Sequence, residues 1–548
     1  MGDGPAESFD FVIVGAGSAG ATLANRQTAC GRYSVLLLEA GGSDRKFWVQ
    51  LPIGYGQTYT DPRVNWRYVT EPVPGLGGRT SYWPRGKILG GSSSINAMVY
   101  ARGHPSDFED WAQHAPGWGW DDVAPIYRRL EGWTGPASPE RGADGPLAVT
   151  DISEDVHPLC RTYLTAAEEI QIGRTDDYNG AAPEGAGYYQ ITTRGGLRAS
   201  TARCYLRPAL GRRNLELRTR ALATEILFEG RRAVGLRYLH NGRPRIVRAR
   251  CAVILSAGAI NTPQLLQLSG VGPGALLQEM EIPVRAENPN IGRHLQDHLG
   301  ADHVFRARVP TLNQVFGRWS GCVRAGLTYL HTRRGPLSLS VNQAGGFVRS
   351  APEAEAPDIQ LYFSPLSYTR SPPTSRRRRL LRPDPFPGFM IGFSPCRPTS
   401  RGELAIRSPD PLAPPRIQPN YLDTQEDRDL MRRGSRLARR LAAAPALKAV
   451  IEAEISPGTA TETDAQVDGF IRDTAWTVFH PCGTARMGTD PSQSVVDPRL
   501  RAHGLEGLRV VDASVFPNVT SGNINAPVIM VAEKAADLIL EDARAGPI

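Results

Sequence analysis

Four clusters of residues in this sequence combine types and spacings that could do chemistry. The first is Gly15–Ala–Gly17–Ser18–Ala–Gly20. A short apolar run, Phe11–Val14, precedes it, and Ala21–Thr–Leu–Ala–Asn–Arg26 follows. This order predicts a strand, a glycine turn and a helix. Gly15 permits the tight turn, Gly17 lets a pyrophosphate approach the backbone, and Gly20 lets helix and strand pack closely. The phosphates then meet the positive end of the helix. A second apolar run, Ser34–Leu38, ends in Glu39, 19 residues after Gly20. Glu39 can accept both hydroxyl hydrogens of an adenosine ribose. An acid there favours an unphosphorylated ribose, hence NAD or FAD over NADP.

The second cluster lies in Pro84–Met98. Gly90, Gly91 and three serines offer backbone and hydroxyl donors for a second phosphate or for ring contacts. Taken alone it also reads as an ordinary serine–glycine loop. A simple NAD enzyme would continue after Glu39 with alternating strands and helices; this chain runs irregularly through Trp66 instead. The third cluster is Thr477–Val–Phe–His480–Pro–Cys–Gly–Thr–Ala–Arg–Met487. Pro481 keeps His480 out of a helix. An imidazole of pKa about 6.5 suits a base at neutral pH. The fourth is Thr520–Ser–Gly–Asn523–Ile–Asn525–Ala–Pro527. The apolar spacing of Val528–Leu540 predicts a helix that starts there. Its N-terminus favours negative charge on whatever the two asparagines face. A helix cap explains Asn525 but not Asn523.

Other elements must position these clusters. Leu215–Arg218, Glu225–Phe228 and Ala233–Tyr238 alternate like the strands of a meander. Ala252–Ser256 reads as a buried strand, and Leu508–Val511 as another ahead of Asp512. The proline-rich stretch 397–419 reads as loop between short strands. At 548 residues the chain exceeds an ordinary domain of about 150. Its 41% hydrophobic and 22% charged content argues against general disorder. No apolar run is long enough for a membrane span. The first residues lack a signal pattern, so a cytoplasmic location is expected. Seven scattered cysteines without a CxxC motif predict buried thiols, with neither a disulfide framework nor zinc. Only four of 63 basic residues are lysine, and 55 acids accompany them; the dispersed arginines do not suggest nucleic-acid binding. The Arg376–Arg379 cluster among prolines reads as a solvated loop. In Arg293–His298, His294 and His298 have the i, i+4 spacing of a metal pair, but no metal site is expected.

Taken together, the sequence resembles the glucose–methanol–choline (GMC) oxidoreductases. The resemblance rests on Gly15–Gly20 with Glu39, Arg85–Asn96, Ser256–Gly270, and His480 onward. Asn65–Glu71 and Asn342–Phe347 resemble the bacterial choline-dehydrogenase-like and alcohol-oxidase branch. It implies an α/β fold, with a Rossmann-type FAD-binding domain interleaved with a substrate domain built on an antiparallel sheet. FAD-domain pieces fall at 1–155, 195–300 and 476–548, and substrate-domain pieces at 156–194 and 301–475. The implied FAD contacts are Gly15, Gly17, Ser18, Gly20, Glu39, Ala40, Leu89, Gly91, Asn96, Ala97, Val99, Ala223, Asp512, Ala513 and Asn525. Leu222 competes with Ala223 for its position.

The implied catalytic pair is His480 and Asn523, which hold the alcohol oxygen. His480 takes the hydroxyl proton as hydride passes to flavin N5, leaving an aldehyde. O2 or another electron acceptor then reoxidises the flavin. Ile95 stands where some members carry a FAD-tethering histidine, so non-covalent FAD is expected. Gln343 stands where the choline-dehydrogenase branch carries a glutamate, which favours a neutral primary alcohol (aryl, furan, aliphatic or pyridoxine-like) over choline. Hydroxynitrile lyases and fatty-acid photodecarboxylases share this fold, so a redox-neutral or light-driven reaction is the rival reading. A non-catalytic flavin-binding protein is a third. Oligomeric state is not written in the sequence.

Overall fold

The computed structural model describes residues 7–370 and 381–545. The Arg376–Arg379 cluster lies outside the described residues.

Two seven-stranded sheets organise the chain. The first is mostly parallel. Its order is Leu215–Thr219, Val35–Glu39, Glu7–Val14, Arg243–Leu255, Arg232–His240 and Ala221–Glu229, with Leu508–Val510 paired to the end of Arg243–Leu255. Phe11–Val14 and Val35–Leu38 are buried on both faces, as continuous apolar runs in a parallel sheet require. Only the flanking hairpins Ala221–Glu229, Arg232–His240 and Arg243–Leu255 form a meander. The Leu215–Thr219 strand does not. It runs parallel to Val35–Glu39, on the opposite edge.

Register decides where function sits. Val14 pairs with Leu38 and with Leu255, and Leu255 pairs with Val510. The four parallel strands therefore end level with one another. The residues that follow them are Gly15, Glu39, Ser256 and Val511–Asp512. All four emerge at the carboxyl edge, where open α/β sheets bind ligands.

The second sheet is antiparallel throughout. Its order is Ile451–Ser456, Leu299–Ala307, Gly388–Pro395, Ile359–Ser364, Ala344–Val348 and Gly185–Tyr188. The short strand Trp476–Thr477 pairs with Leu299 and Gly300. The helix Gln425–Ala443 covers this sheet, burying Leu430, Met431, Leu437 and Leu441. Each sheet has its own hydrophobic core.

The helix Ser18–Thr28 packs along Asn525–Ala545. Of the seven cysteines, Cys160, Cys204, Cys396 and Cys482 are buried; Cys30 and Cys322 are exposed and Cys251 is intermediate. Burial therefore holds for four thiols only.

Candidate active site

A cavity of about 630 Å³ runs between the two sheets. One end is lined by Gly15, Gly17, Ser18, Glu39, Ala40, Leu222 and Ala223. Gly91, Asn96, Ala97, Val99, Asp512, Ala513 and Asn525 follow along the wall. His480 and Asn523 stand at the far end, with Tyr59, Tyr362, Trp476 and Phe479.

Two expected contact residues do not line the cavity. Leu89 packs into the first core, and its carbonyl accepts the Ser94 hydroxyl. Gly20 faces the turn: a Cβ there would lie 1.9 Å from the Gly15 carbonyl oxygen. Its part is packing, not contact.

The first end suits an adenine dinucleotide. Gly15 adopts φ +94°, and a Cβ there would come 2.5 Å from the Ser256 carbonyl oxygen. Gly17 ends the turn, and no side chain caps the helix Ser18–Thr28. Its free amide groups therefore face the cavity, as a phosphate requires. The Ser18 hydroxyl donates to Asn525 Oδ1 at 2.7 Å. That bond ties together the N-termini of two helices, so two positive helix ends meet at one wall. The Ser256 hydroxyl is buried without a hydrogen-bond partner among the described residues, a group awaiting a ligand.

Glu39 accepts the Ala16 N–H at 3.0 Å and the Gly41 N–H at 2.8 Å. Each oxygen keeps a lone pair for a ribose hydroxyl. Burial pushes its carboxyl up to about 7, against the pull of the two amides and of Lys87. Asp512 accepts from Gly258 N, Thr262 Oγ1 and Ser514 N. Burial raises its pKa also.

His480 is the centre of the other end. It follows the strand Trp476–Thr477, and its N–H donates to Asp297 Oδ1 at 2.6 Å. Asp297 also accepts the Thr477 and Tyr421 hydroxyls. Phe479 stands at φ +69°, a conformation that side chains other than glycine pay to adopt. Thr477 Oγ1 holds its N–H, and Arg85 Nη2 donates to its carbonyl at 2.6 Å.

Two hydrogen-bond relays converge on the His480 ring. In the first, the Cys396 carbonyl can only accept. His298 Nε2 therefore carries the hydrogen and donates to it at 2.8 Å. A neutral His298 then presents an unprotonated Nδ1, which accepts from His480 Nδ1 at 2.8 Å. That leaves His480 Nε2 bare. In the second, Tyr189 O–H donates to the Leu361 carbonyl. Its oxygen accepts from Gln360 Nε2, which also donates to Asn523 Oδ1 at 3.3 Å. The Asn523 amide nitrogen then faces His480 Nε2 at 3.1 Å. Both relays start at backbone carbonyls, and both require a lone pair on Nε2. Burial lowers the His298 pKa to about 4. It also drives His480 well below its usual value, helped by His298 and Arg85. The ring is a neutral imidazole with its acceptor nitrogen at the cavity.

The loop carrying Asn523 has its own clamp. Asp107 accepts the Ser521 N–H at 2.7 Å and the Ser521 hydroxyl at 2.9 Å. Burial pushes Asp107 and Asp297 each up to about 6.

Two sequence readings change meaning here. Gln343 does not line the cavity. It is buried, and its Oε1 accepts the His157 N–H at 2.7 Å. A charge at this position therefore says nothing direct about the substrate. His294 and His298 are not on a helix, so their spacing does not put them on one face. His294 Nε2 meets Asn290 Oδ1, while His298 meets His480. The segment Gln296–Asp297–His298 thus supplies two neighbours of His480 that the metal-pair reading overlooked. Asp107 and Gln360 carried no sequence signal, because each acts through the fold.

Comparison with known proteins places this arrangement. Residues 9–300 and 398–532 match the GMC oxidoreductases, and the chain belongs to that family. It is an FAD-dependent oxidoreductase acting on CH–OH donors. It is 41% identical to "Alcohol dehydrogenase [acceptor]" of Pseudomonas putida, over 97% of this chain and 96% of that protein. It is 42% identical to "Oxygen-dependent choline dehydrogenase" of Sinorhizobium medicae, over 97% of this chain and 95% of the relative. Among solved structures it superposes on pyridoxine 4-oxidase from "Mesorbium loti" with a TM-score of 0.86 and 32% identity, covering 96% of this chain and 98% of the other. Among the described residues, no helix is long and apolar enough to cross a membrane.

Proposed function

We propose that the chain oxidises a primary alcohol to an aldehyde, with His480 as base and Asn523 as its partner. One observation carries this reading: two independent relays leave His480 Nε2 as a bare acceptor beside the Asn523 amide. An alcohol oxygen inserted between them can donate its hydrogen to Nε2 and accept from Asn523 Nδ2. His480 takes that proton as the C–H bond breaks. FAD, when bound, supplies the two-electron acceptor for the departing hydride. The chain's own part is to place the alcohol, exclude water and hold the proton at Nε2.

The cofactor-binding residues proposed are Gly15, Gly17, Ser18, Glu39, Ala40, Gly91, Asn96, Ala97, Val99, Ala223, Asp512, Ala513 and Asn525. FAD is held without a covalent bond. Among the described residues, no cysteine lines the cavity, and its one histidine is His480. The substrate is an alcohol with an apolar or aromatic body. Tyr59, Tyr362, Trp476, Val478 and Phe479 supply that end of the wall. Among the described residues that line this end, the carboxylate is Asp302, which accepts the Trp476 indole N–H at 3.2 Å.

We further propose the interleaved division 1–155, 195–300 and 476–548 for FAD, and 156–194 and 301–475 for substrate. The sheet memberships support it, except that the second sheet's strand Leu299–Ala307 starts before 301 and that Trp476–Thr477 pairs with its first residues.

The test is anaerobic mixing of the yellow holoenzyme with a panel of primary alcohols, choline included. Wild type bleaches with one class. His480→Ala keeps its yellow FAD and loses about 10²- to 10⁴-fold in the bleaching rate. Undiminished bleaching by His480→Ala removes His480 as the base. Recolouring in air distinguishes an oxidase from a dehydrogenase.

A further inference from the structure

The helix Trp319–Thr332 carries apolar residues on a side that no core among the described residues covers. Ala325 and Tyr329 face inward and are buried. Trp319 is 81% exposed, Val323 50%, Leu327 53% and Leu330 67%. At about 100° per residue, these four fall within an arc of about 80°. They make one stripe on the outside of the molecule.

Within the segment that carries the stripe the charge has one sign; acids that approach it, Asp155 and Glu154, pair with Arg334 beyond the helix end. From His303 to Pro352 the chain contains seven arginines and no aspartate or glutamate. Arg318, Arg324 and Arg333 flank the stripe and are exposed. A second exposed aromatic pair, Phe47 and Trp48, is tied to the same place. Their short helix leads into Pro52–Gly54, which packs on Pro336–Ser338, the turn that follows the striped helix.

This face also sits over the substrate end of the cavity. Leu312, Val315 and Phe316 of the preceding helix pack into a cluster with Tyr55, Tyr59 and Val341. Those last three line the cavity wall.

Tryptophan and leucine on one face, arginine beside them and no acid in the helix itself is the make-up of a helix that lies in the headgroup boundary of a bilayer. Arginine stems can cover apolar surface while their heads meet anionic lipid. A second copy of the chain is a poorer occupant, because it would set the same arginines against themselves. We propose that this face seats the enzyme on a bilayer containing anionic phospholipid, with the substrate end of the cavity toward the lipid.

Flotation of the holoenzyme with vesicles tests this. Vesicles of phosphatidylglycerol and phosphatidylcholine are compared with phosphatidylcholine alone. Wild type floats with the anionic vesicles, and less so at high salt. Leu327→Glu with Leu330→Glu, and separately Arg318→Glu with Arg324→Glu, bind roughly tenfold more weakly or worse. Both variants keep the bound-FAD spectrum and wild-type alcohol turnover with a soluble acceptor. Failure of wild type to float, or equal flotation of both variants, overturns the proposal. So does a wild-type dimer that Leu327→Glu with Leu330→Glu turns into monomers, because the face would then join two copies.

Discussion

The rings of His298 and His480 meet edge to face, with their two Nδ1 atoms 2.8 Å apart. Only one hydrogen can lie between two Nδ1 atoms. The Cys396 carbonyl decides that it belongs to His480. His298 is therefore a positioning residue: it selects a tautomer and touches no substrate.

Removing that selection is expected to slow chemistry without emptying the pocket. His298→Ala should retain FAD and lower kcat on the order of 10²-fold, because a base in the wrong tautomer cannot take the proton. His298 is also one of the groups that depress the His480 pKa. Its loss should move the acid limb of the pH–rate profile upward. Stopped-flow bleaching across pH 5 to 9 reads both effects; an unmoved profile would reduce His298 to packing.

Asn523→Asp places a carboxylate where the amide now stands 3.1 Å from His480 Nε2. The negative charge favours imidazolium and raises the His480 pKa. Bleaching at neutral pH should fall on the order of tenfold or more and recover as pH rises. Asn523→Leu, which adds no charge, should show a fall that does not recover.

Cofactor affinity should depend on pH through Glu39. Its carboxyl is raised to about 7 in the cofactor-free chain, whereas ribose hydroxyls require the ionised form. A raised carboxylate is neutral below its pKa, so FAD binding below about pH 7 must first expel a proton. Affinity should then weaken by up to about tenfold per pH unit as the solution is acidified. Titration of the cofactor-free protein with FAD, followed by quenching of flavin fluorescence, measures this. Glu39→Gln should flatten the dependence.

Gly20→Ala tests the turn. The added methyl would lie 1.9 Å from the Gly15 carbonyl oxygen. Overpacking of this kind costs about 1–3 kcal/mol, and here backbone must move. Thermal unfolding should show a clear loss of stability together with weakened FAD retention. An unchanged Tm would mean that the turn relaxes freely.

What the sequence disclosed and what it hid divide on a physical line. Gly15, Gly17, Gly20 and Glu39 were legible because each answers to local backbone geometry within one strand–helix–strand unit. His298 was not, because its meaning depends on Leu299 pairing with Thr477 across a sheet. Only that pairing brings residue 298 beside residue 480. Gln343 was misread by one step of the chain: Asn342 lines the cavity, while its neighbour turns to the core. Adjacent residues of an extended segment face opposite ways, and no motif states which way. The meander failed at Leu215–Thr219 for a related reason. Alternation marks a strand but does not name its partner.

The Ser18–Asn525 hydrogen bond joins residues 507 positions apart. The wall built from two helix ends therefore does not exist until both residues have been made. Synthesis must reach Asn525 before that wall can close. The cradle for FAD thus has both its helix ends only once residues 18 and 525 have met. Until then the glycine turn and its apolar strands wait without their last partner, with apolar surface still uncovered.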